Sequence, residues 1–262
     1  MINKIKKKIN KKRRKKEAKA CEKRRIQFVE STIARLFPFL KIANGPFRGM
    51  QYPEAISVGS RLFPKLLGSY ESELSGVLED IIGRGYTEIV DIGCAEGYYT
   101  VGLGMCIPSA EIYAYDVNGE ALRLCHDMAL HNGISEGRIH FGAKCSSDTI
   151  QHLPLAKKAL FICDCEGYEK ELFTPDLIPH LERHDLLIET HDCYDVTIST
   201  QLENLFQSTH EITNILSVDD IQKAKTYTYP QLDGFSLEER YILLSEGRPS
   251  IMEWLYIKSK RD

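Results

Sequence analysis

The sequence predicts a three-layer α/β sandwich built on a mostly parallel sheet of about seven strands, preceded by a helical cap and a basic arm. Three observations carry that prediction. From residue 86 onward, short apolar runs alternate with stretches of helical spacing. A glycine-punctuated turn comes after the first of those runs and opens a helix. The composition, 43% hydrophobic and 27% charged over 262 residues, suits one folded domain with additions rather than a disordered chain.

Taken in order, residues 1–25 (MINKIKKKINKKRRKKEAKACEKRR) hold no turn residue. Two readings stay open for them: a helix lying on an anionic surface, with Ile2, Ile5 and Ile9 on one face, or a solvated, disordered arm. Residues 26–85 read as a cap. It opens on a short apolar helix around Phe28–Leu40 and passes through NGPFRGMQYPE, suited to a small hairpin. Helical spacing returns at Leu74, Val77, Leu78, Ile81 and Ile82, before Gly83 and Gly85 stop it. The domain proper spans residues 86–262. Its strand candidates are Glu88–Ile92, Glu111–Asp116, Arg138–Phe141, Ala159–Asp164, Asp185–Glu189, His210–Leu216 and Trp254–Lys258. Helices are expected between them at Tyr98–Cys106, Gly119–His131, Lys170–Leu181 with a proline interruption, and Val196–Phe206. Apolar strands alternating with helices imply parallel crossovers and a sheet covered on both faces.

The net charge of −3 hides a split. Residues 1–25 carry 14 Lys/Arg against Glu17 and Glu22, a charge of +12, while the other 237 residues carry 20 Lys/Arg against 35 Asp/Glu, a charge of −15. So acidic a body lacks the positive footprint of a nucleic-acid-binding domain, and no specific nucleic-acid partner is expected. The arm is the one segment suited to an anionic surface. No window offers eighteen apolar residues and the start is rich in lysine, so a membrane span and secretion are not expected. A cytoplasmic protein with reduced thiols is the expectation. The eight cysteines form no CxxC pair, which argues against a zinc site.

The sharpest signal is EIVDIGCAEGYYTVGLG. An apolar strand ends in Asp91, Gly93 permits a tight strand-to-helix turn, and Ala95 and Gly97 let ligand and helix approach the backbone. The helix after this turn presents free N–H groups to an anion such as a carboxylate. Nineteen residues after Gly97, Asp116 ends the second strand in EIYAYDVN, where a carboxylate can accept hydrogen bonds from both hydroxyls of a ribose. Together these define a nucleoside-binding crevice. The pattern is D-x-G-x-A-x-G rather than G-x-G-x-x-G, and the acid before the turn is poorly placed for a pyrophosphate. It suits a ligand with an ammonium group, as in S-adenosylmethionine.

VDIGCAEGYYTVGLG and AYDVNGEAL resemble the first two cofactor motifs of the class I S-adenosylmethionine-dependent methyltransferases, over roughly Glu71 to Lys258. FICDCEGYEKELF, with DLLIETHD after it, is similar to the FkbM-type methyltransferase family, whose members commonly methylate oxygen on small molecules, sugars or glycolipids. The resemblance implies a Rossmann-like sandwich whose last strand inserts antiparallel, S-adenosylmethionine as cofactor, and Asp164 beside the cofactor and the reacting centre.

The expected cofactor-binding residues are therefore Asp91, Gly93, Ala95, Gly97, Asp116, Ala143 and Asp164, with Ala143 and Cys145 placed near the adenine by position alone. The candidate catalytic residues are Asp164, Glu166 and His191. Asp164 and Glu166 stand at the end of the fourth strand, where open α/β sheets bind ligands; the alternative for Asp164 is to cap the next helix, and the site role is favoured. His191 is a candidate general base oriented by Asp192 or Glu166, or else a loop histidine bonded to a neighbouring carboxylate. Asp164, Glu166, Glu189, His191 and Asp192 could also hold a divalent cation, which is not favoured. Glu96 and Tyr98 read as helix-start and packing residues, Cys163 and Cys165 as pointing into the packing layers, and Trp254 as sheet packing. The function expected is O-methylation of a small-molecule or sugar-type acceptor. The alternatives are a nitrogen- or protein-directed methyltransferase, a non-catalytic nucleoside-binding module, and a nicotinamide oxidoreductase.

Overall fold

The computed structural model describes residues 2–261. The chain opens on one long helix, α1 (Ile2–Leu36), which crosses the boundary between arm and cap expected at residue 25. Lys, Arg, Ala and Glu are good helix formers, and the packed turns near its end supply a nucleus from which the charged part propagates. Val29, Ile33 and Phe37 pack on the body, and the Phe28 ring meets Phe235 edge-on with centroids 6.1 Å apart. The helix ends two residues before Pro38, which cannot continue it. The apolar face expected of Ile2, Ile5 and Ile9 lies outside the described side chains.

The rest of the cap is compact. Lys41 and Gln51 form an isolated antiparallel bridge, the small hairpin expected there. α2 (Leu62–Leu67) and α3 (Ser75–Arg84) then lead into the sheet.

In chain order the remaining elements are β1 (Glu88–Ile92), α4 (Tyr98–Cys106), β2 (Glu111–Tyr115), α5 (Gly119–His131), β3 (Ile139–Gly142), α6 (Ser147–Gln151) and β4 (Ala159–Cys163). They continue as α7 (Glu169–Leu172), α8 (Ile178–Leu181), β5 (Asp185–Thr190), α9 (Ile198–Phe206), β6 (His210–Leu216), α10 (Asp220–Thr226), α11 (Leu237–Leu244) and β7 (Glu253–Ser259). Pro175 and Pro179 break the single helix expected over Lys170–Leu181 into α7, a 3₁₀ turn and α8.

The seven strands form one sheet in the order β3-β2-β1-β4-β5-β7-β6. β1 to β5 are parallel, and β7 runs antiparallel between β5 and β6, as the resemblance implies. This is a Rossmann-like three-layer sandwich. Side chains alternate across the sheet as the strand period requires. Ile89, Leu160, Ile162, Leu187 and Trp254 face the cap and α4, while Val90, Phe161, Cys163, Leu186 and Ile188 face α8 and α9. Among the described residues, no helix is long and apolar enough to cross a membrane, and all eight cysteines are free.

Strand order reverses between β1 and β4, the position where open α/β sheets bind ligands. In register, Ile92 stands opposite both Tyr115 and Cys163, so β1, β2 and β4 end level with one another. The loops leaving these strands therefore meet at one edge of the sheet.

Candidate active site

A cavity of about 550 Å³ opens at that edge. Five strand ends line it: Gly93–Ala95 after β1, Tyr115–Val117 at β2, Ala143–Cys145 after β3, Asp164–Glu166 after β4, and Glu189 with His191 at β5. The cap contributes Val58–Ser60, and the loop before β7 contributes Glu246–Pro249.

The first turn has the shape its residues dictate. Gly93 has a φ of +88°, and a Cβ there would lie 1.7 Å from the Asp164 carbonyl oxygen, so only glycine lets the loops after β1 and β4 pass. Gly97 has a φ of +99°, and a Cβ there would meet Cys125 Sγ at 2.7 Å, which places its role in packing α4 against α5 rather than at the cavity wall. Ala95 holds a φ of +47° without the freedom of glycine. Among the described residues, four others than glycine have positive φ, and two of them, Ala95 and Glu166, line the cavity.

Asp116 meets the cavity with its backbone contacts already made. The Ala95 N–H donates to its Oδ2 at 2.9 Å and the Asn118 N–H to its Oδ1 at 2.7 Å. A carboxylate has capacity beyond two such bonds, so lone pairs remain for hydroxyl donors. Asp91 does not line the cavity. It is 2% exposed and accepts a 2.5 Å hydrogen bond from Thr100 Oγ1; burial pushes its carboxyl up to about 6. Its charge is therefore spent inside β1 and α4 and does not face a ligand ammonium.

His191 is buried, and its Nδ1 lies 2.8 Å from Oε1 of the fully buried Glu169. That partner corrects the expectation of Asp192 or Glu166. Asp192 turns away, accepting from the Ser199 N–H at 2.9 Å and from its hydroxyl at 2.6 Å. His191 Nε2 faces the cavity side, 3.5 Å from Asp164 Oδ1 and 3.6 Å from Glu166 Oε2. The Tyr194 ring stacks on the imidazole with centroids 5.9 Å apart. Burial alone would lower the His191 pKa, but the hydrogen bond and charge of Glu169 outweigh it and hold the value above the ordinary one. Nothing in the spacing of the sequence separates Glu169 from other helix-start acids; only its burial identifies it.

Below these groups, Arg248 ties three carboxylates together. It pairs with Glu71, with Glu189, and through Nε with Glu246 at 2.9 Å. Lys223, fully buried, holds Glu246 from the other side. Burial and the charge of Glu71 push the Asp164 carboxyl up to about 7. Burial and the charges of Asp164 and Glu71 raise Glu189 as well. No sequence signal marks Arg248, which lies 32 residues beyond β6 and comes from an irregular loop.

Of the remaining expectations, Ala143 and Cys145 line the cavity, Trp254 is buried in the sheet, and Cys163 is buried. Cys165 departs from its expected place: it is half-buried and lines the cavity, its sulfur 3.4 Å from that of Cys163. Tyr98 packs edge-on against Phe47 and Tyr70 and also reaches the cavity. Among the described residues, Asp164, Glu166 and His191 each place one donor atom within 4.8 Å of the others, close enough to hold a cation; Glu189 and Asp192 do not join them.

No family model and no curated protein matches the chain. Among solved structures it is similar to a putative O-methyltransferase from Klebsiella pneumoniae, at 9% identity over 73% of this chain and 81% of that one, with a TM-score of 0.48. It is similar to cofactor-bound Rv0187 from MTB, at 12% identity over 71% and 79%, with a TM-score of 0.49. A third is the O-methyltransferase TomG from Streptomyces achromogenes in complex with SAM, at 10% identity over 73% and 80%, with a TM-score of 0.47. Likenesses at these values settle no activity of this chain.

Proposed function

We propose that this chain is an S-adenosylmethionine-dependent methyltransferase of FkbM type, acting on an oxygen of a small-molecule or sugar-type acceptor in the cytoplasm. One observation supports the reading above others. Gly93, Ala95, Asp116, Ala143 and Asp164, taken from four separate strand ends and singled out in the sequence as cofactor-binding, converge on one cavity.

The residues present fit the cofactor. The cavity is of ligand size, and Asp116 keeps acceptor capacity for a ribose. Ala143 and Cys145 supply an apolar wall suited to a base, and the carboxyls of Asp164, Glu166 and Glu189 gather on the β4–β5 side of the cavity. When bound, S-adenosylmethionine supplies a methyl group made electrophilic by its positive sulfur. The protein's part is alignment and exclusion of water: the cap wall and Tyr194 cover the site, and Asp164 fixes one side of the reacting space. His191, anchored through Nδ1 on Glu169, accepts the acceptor's hydroxyl proton at Nε2. Glu166 and Tyr194 border the acceptor side, with the Tyr194 hydroxyl donating to Glu166 at 3.3 Å.

A second reading has its own observation: the proximity of Asp164, Glu166 and His191 fits a divalent cation. For residues 1–25 we propose contact with an anionic surface, the alternative being a solvated arm without such a partner.

Calorimetry with S-adenosylmethionine and with NAD, then incubation of the protein with labelled methyl donor and fractionated cell extract, tests the reading. Micromolar binding of the sulfonium compound and label in a small hydroxylated molecule are expected. Binding of NAD instead, or binding without transfer to any fraction, overturns it. Loss of transfer in a chelator, restored by magnesium, selects the cation reading over proton transfer by His191 alone.

A further inference from the structure

Glu96, inside the turn between β1 and α4, is 2% exposed, an unusual place for a carboxylate unless it is fully paired. Four donors satisfy it. Tyr52 Oη (3.1 Å), Ser57 Oγ (3.0 Å) and Lys65 Nζ (2.5 Å) meet Oε1, and the Val58 N–H (3.0 Å) meets Oε2. All four come from the cap, and none from the sheet that carries Glu96.

The segment between Tyr52 and α2 depends on this contact. Among the described residues, the backbone of 53–60 reaches the rest of the molecule through one hydrogen bond, from Val58 N–H to Glu96. Glu54, Ala55 and Ile56 are exposed, and Ser57 and Ser60 bond chiefly to each other and to Glu96. Yet Val58, Gly59 and Ser60 line the cavity together with Gly93–Ala95. Lys65, the counter-ion, is buried over the Tyr70 and Tyr98 rings at 4.9 and 5.3 Å and lines the same cavity.

We propose that Glu96 is a positioning residue, a latch that holds strap 53–60 closed against the cofactor turn and thereby sets how long the cofactor stays bound. The assignment rests on the cavity being the S-adenosylmethionine site. The same turn that borders the cofactor carries the fastener, so ligand-side geometry and strap position are set together. Releasing the strap opens the cavity wall while leaving β1, α4 and the sheet in place.

Hydrogen exchange at the Val58 amide and the dissociation rate of S-adenosylmethionine, measured on the full chain, test this. Removing the charged pair with the double variant Glu96→Gln/Lys65→Met avoids leaving a buried ammonium alone, and Ser57→Ala cuts the latch from the strap side with Glu96 and Lys65 intact. Both are expected to speed Val58 exchange and cofactor release about tenfold, with exchange in β1 and β4 unchanged. Ser57→Thr, which keeps the hydroxyl, is expected to restore both rates. Val58 exchange at the wild-type rate in the folded variants overturns the latch. Faster exchange with unchanged cofactor release overturns its role in retention. If the wild-type chain binds no S-adenosylmethionine, the cofactor reading falls instead, and the exchange rates still decide whether Glu96 holds the strap.

Discussion

His191 and Glu169 form the pair whose protonation matters most at the residue scale. The Glu169 carboxylate stabilises the imidazolium, so His191 becomes a competent base only above its ordinary value of about 6.5. Transfer to a hydroxyl acceptor is expected to rise with pH through that raised value. Glu169→Gln removes the charge and moves the rising limb to lower pH, while His191→Ala lowers kcat by about 10²–10⁴. A pH–rate profile of the three proteins checks both; a limb that stays in place in Glu169→Gln removes the pairing from the mechanism. The same sign applies to stability. With the folded His191 value above its unfolded one and the folded Glu169 value below its own, the contribution of the pair is complete between about pH 4.5 and about pH 6.5, and is lost as pH climbs through the folded His191 value or falls through the folded Glu169 value. Asp116 is the second residue with a measurable role. Asp116→Ala is expected to weaken cofactor binding by about 1–3 kcal/mol through lost charged hydrogen bonds, read by calorimetry. Unchanged affinity in a folded variant would place the ribose elsewhere.

Among the elements, α5 links its N-cap to Asp116. The Asn118 side chain accepts from the Glu120 and Ala121 N–H groups while its own N–H donates to Asp116. Asn118→Ala should lower stability by about 0.5–2 kcal/mol in thermal melts, and Asn118→Gly by only a few tenths. The helix that Asn118 starts was legible in sequence, and so were the seven strands, because runs of four to seven residues bounded by polar turns leave few alternatives. Residues that line the cavity were legible where they sit within three residues of a strand end, as at Gly93, Asp116, Asp164, Glu166 and His191. Glu169, Glu96 and Arg248 were not, since a buried charge is defined by partners far away in the chain: Glu96 by residues 52–65, Arg248 by Glu71 and Glu189. Asp91 misled for a different reason: its partner Thr100, nine residues on, lies in α4 and not in the ligand space. α10 and α11 went unread although Asp219 and the Ser236–Glu239 capping box announce them. Their short, mixed faces offer no period to trace, and Lys223 is buried despite its charge.

For the molecule as a whole, charge is divided between a body of −15 and a first segment of +12. Residues 14–25 are exposed along α1, so their charge is available to a partner. Replacing the six basic residues Lys11–Lys16 by glutamine is expected to reduce adsorption to phosphatidylserine vesicles sharply, at about 1 kcal/mol for each charge near the surface, and to leave cofactor affinity unchanged. Adsorption should also fall with added salt as the screening length shortens. Equal adsorption by both proteins in a vesicle sedimentation assay retires the anionic-surface reading. The position of β7 has a consequence for synthesis. Among the described residues, β6 pairs with no strand but β7, and β7 also covers the flank of β5, so a ribosome that has not yet reached residue 253 carries two unpaired edges. The nascent chain cannot complete its sheet as it emerges; that step waits until β7 has been synthesised, and until then those edges are exposed to chaperones or to misassociation.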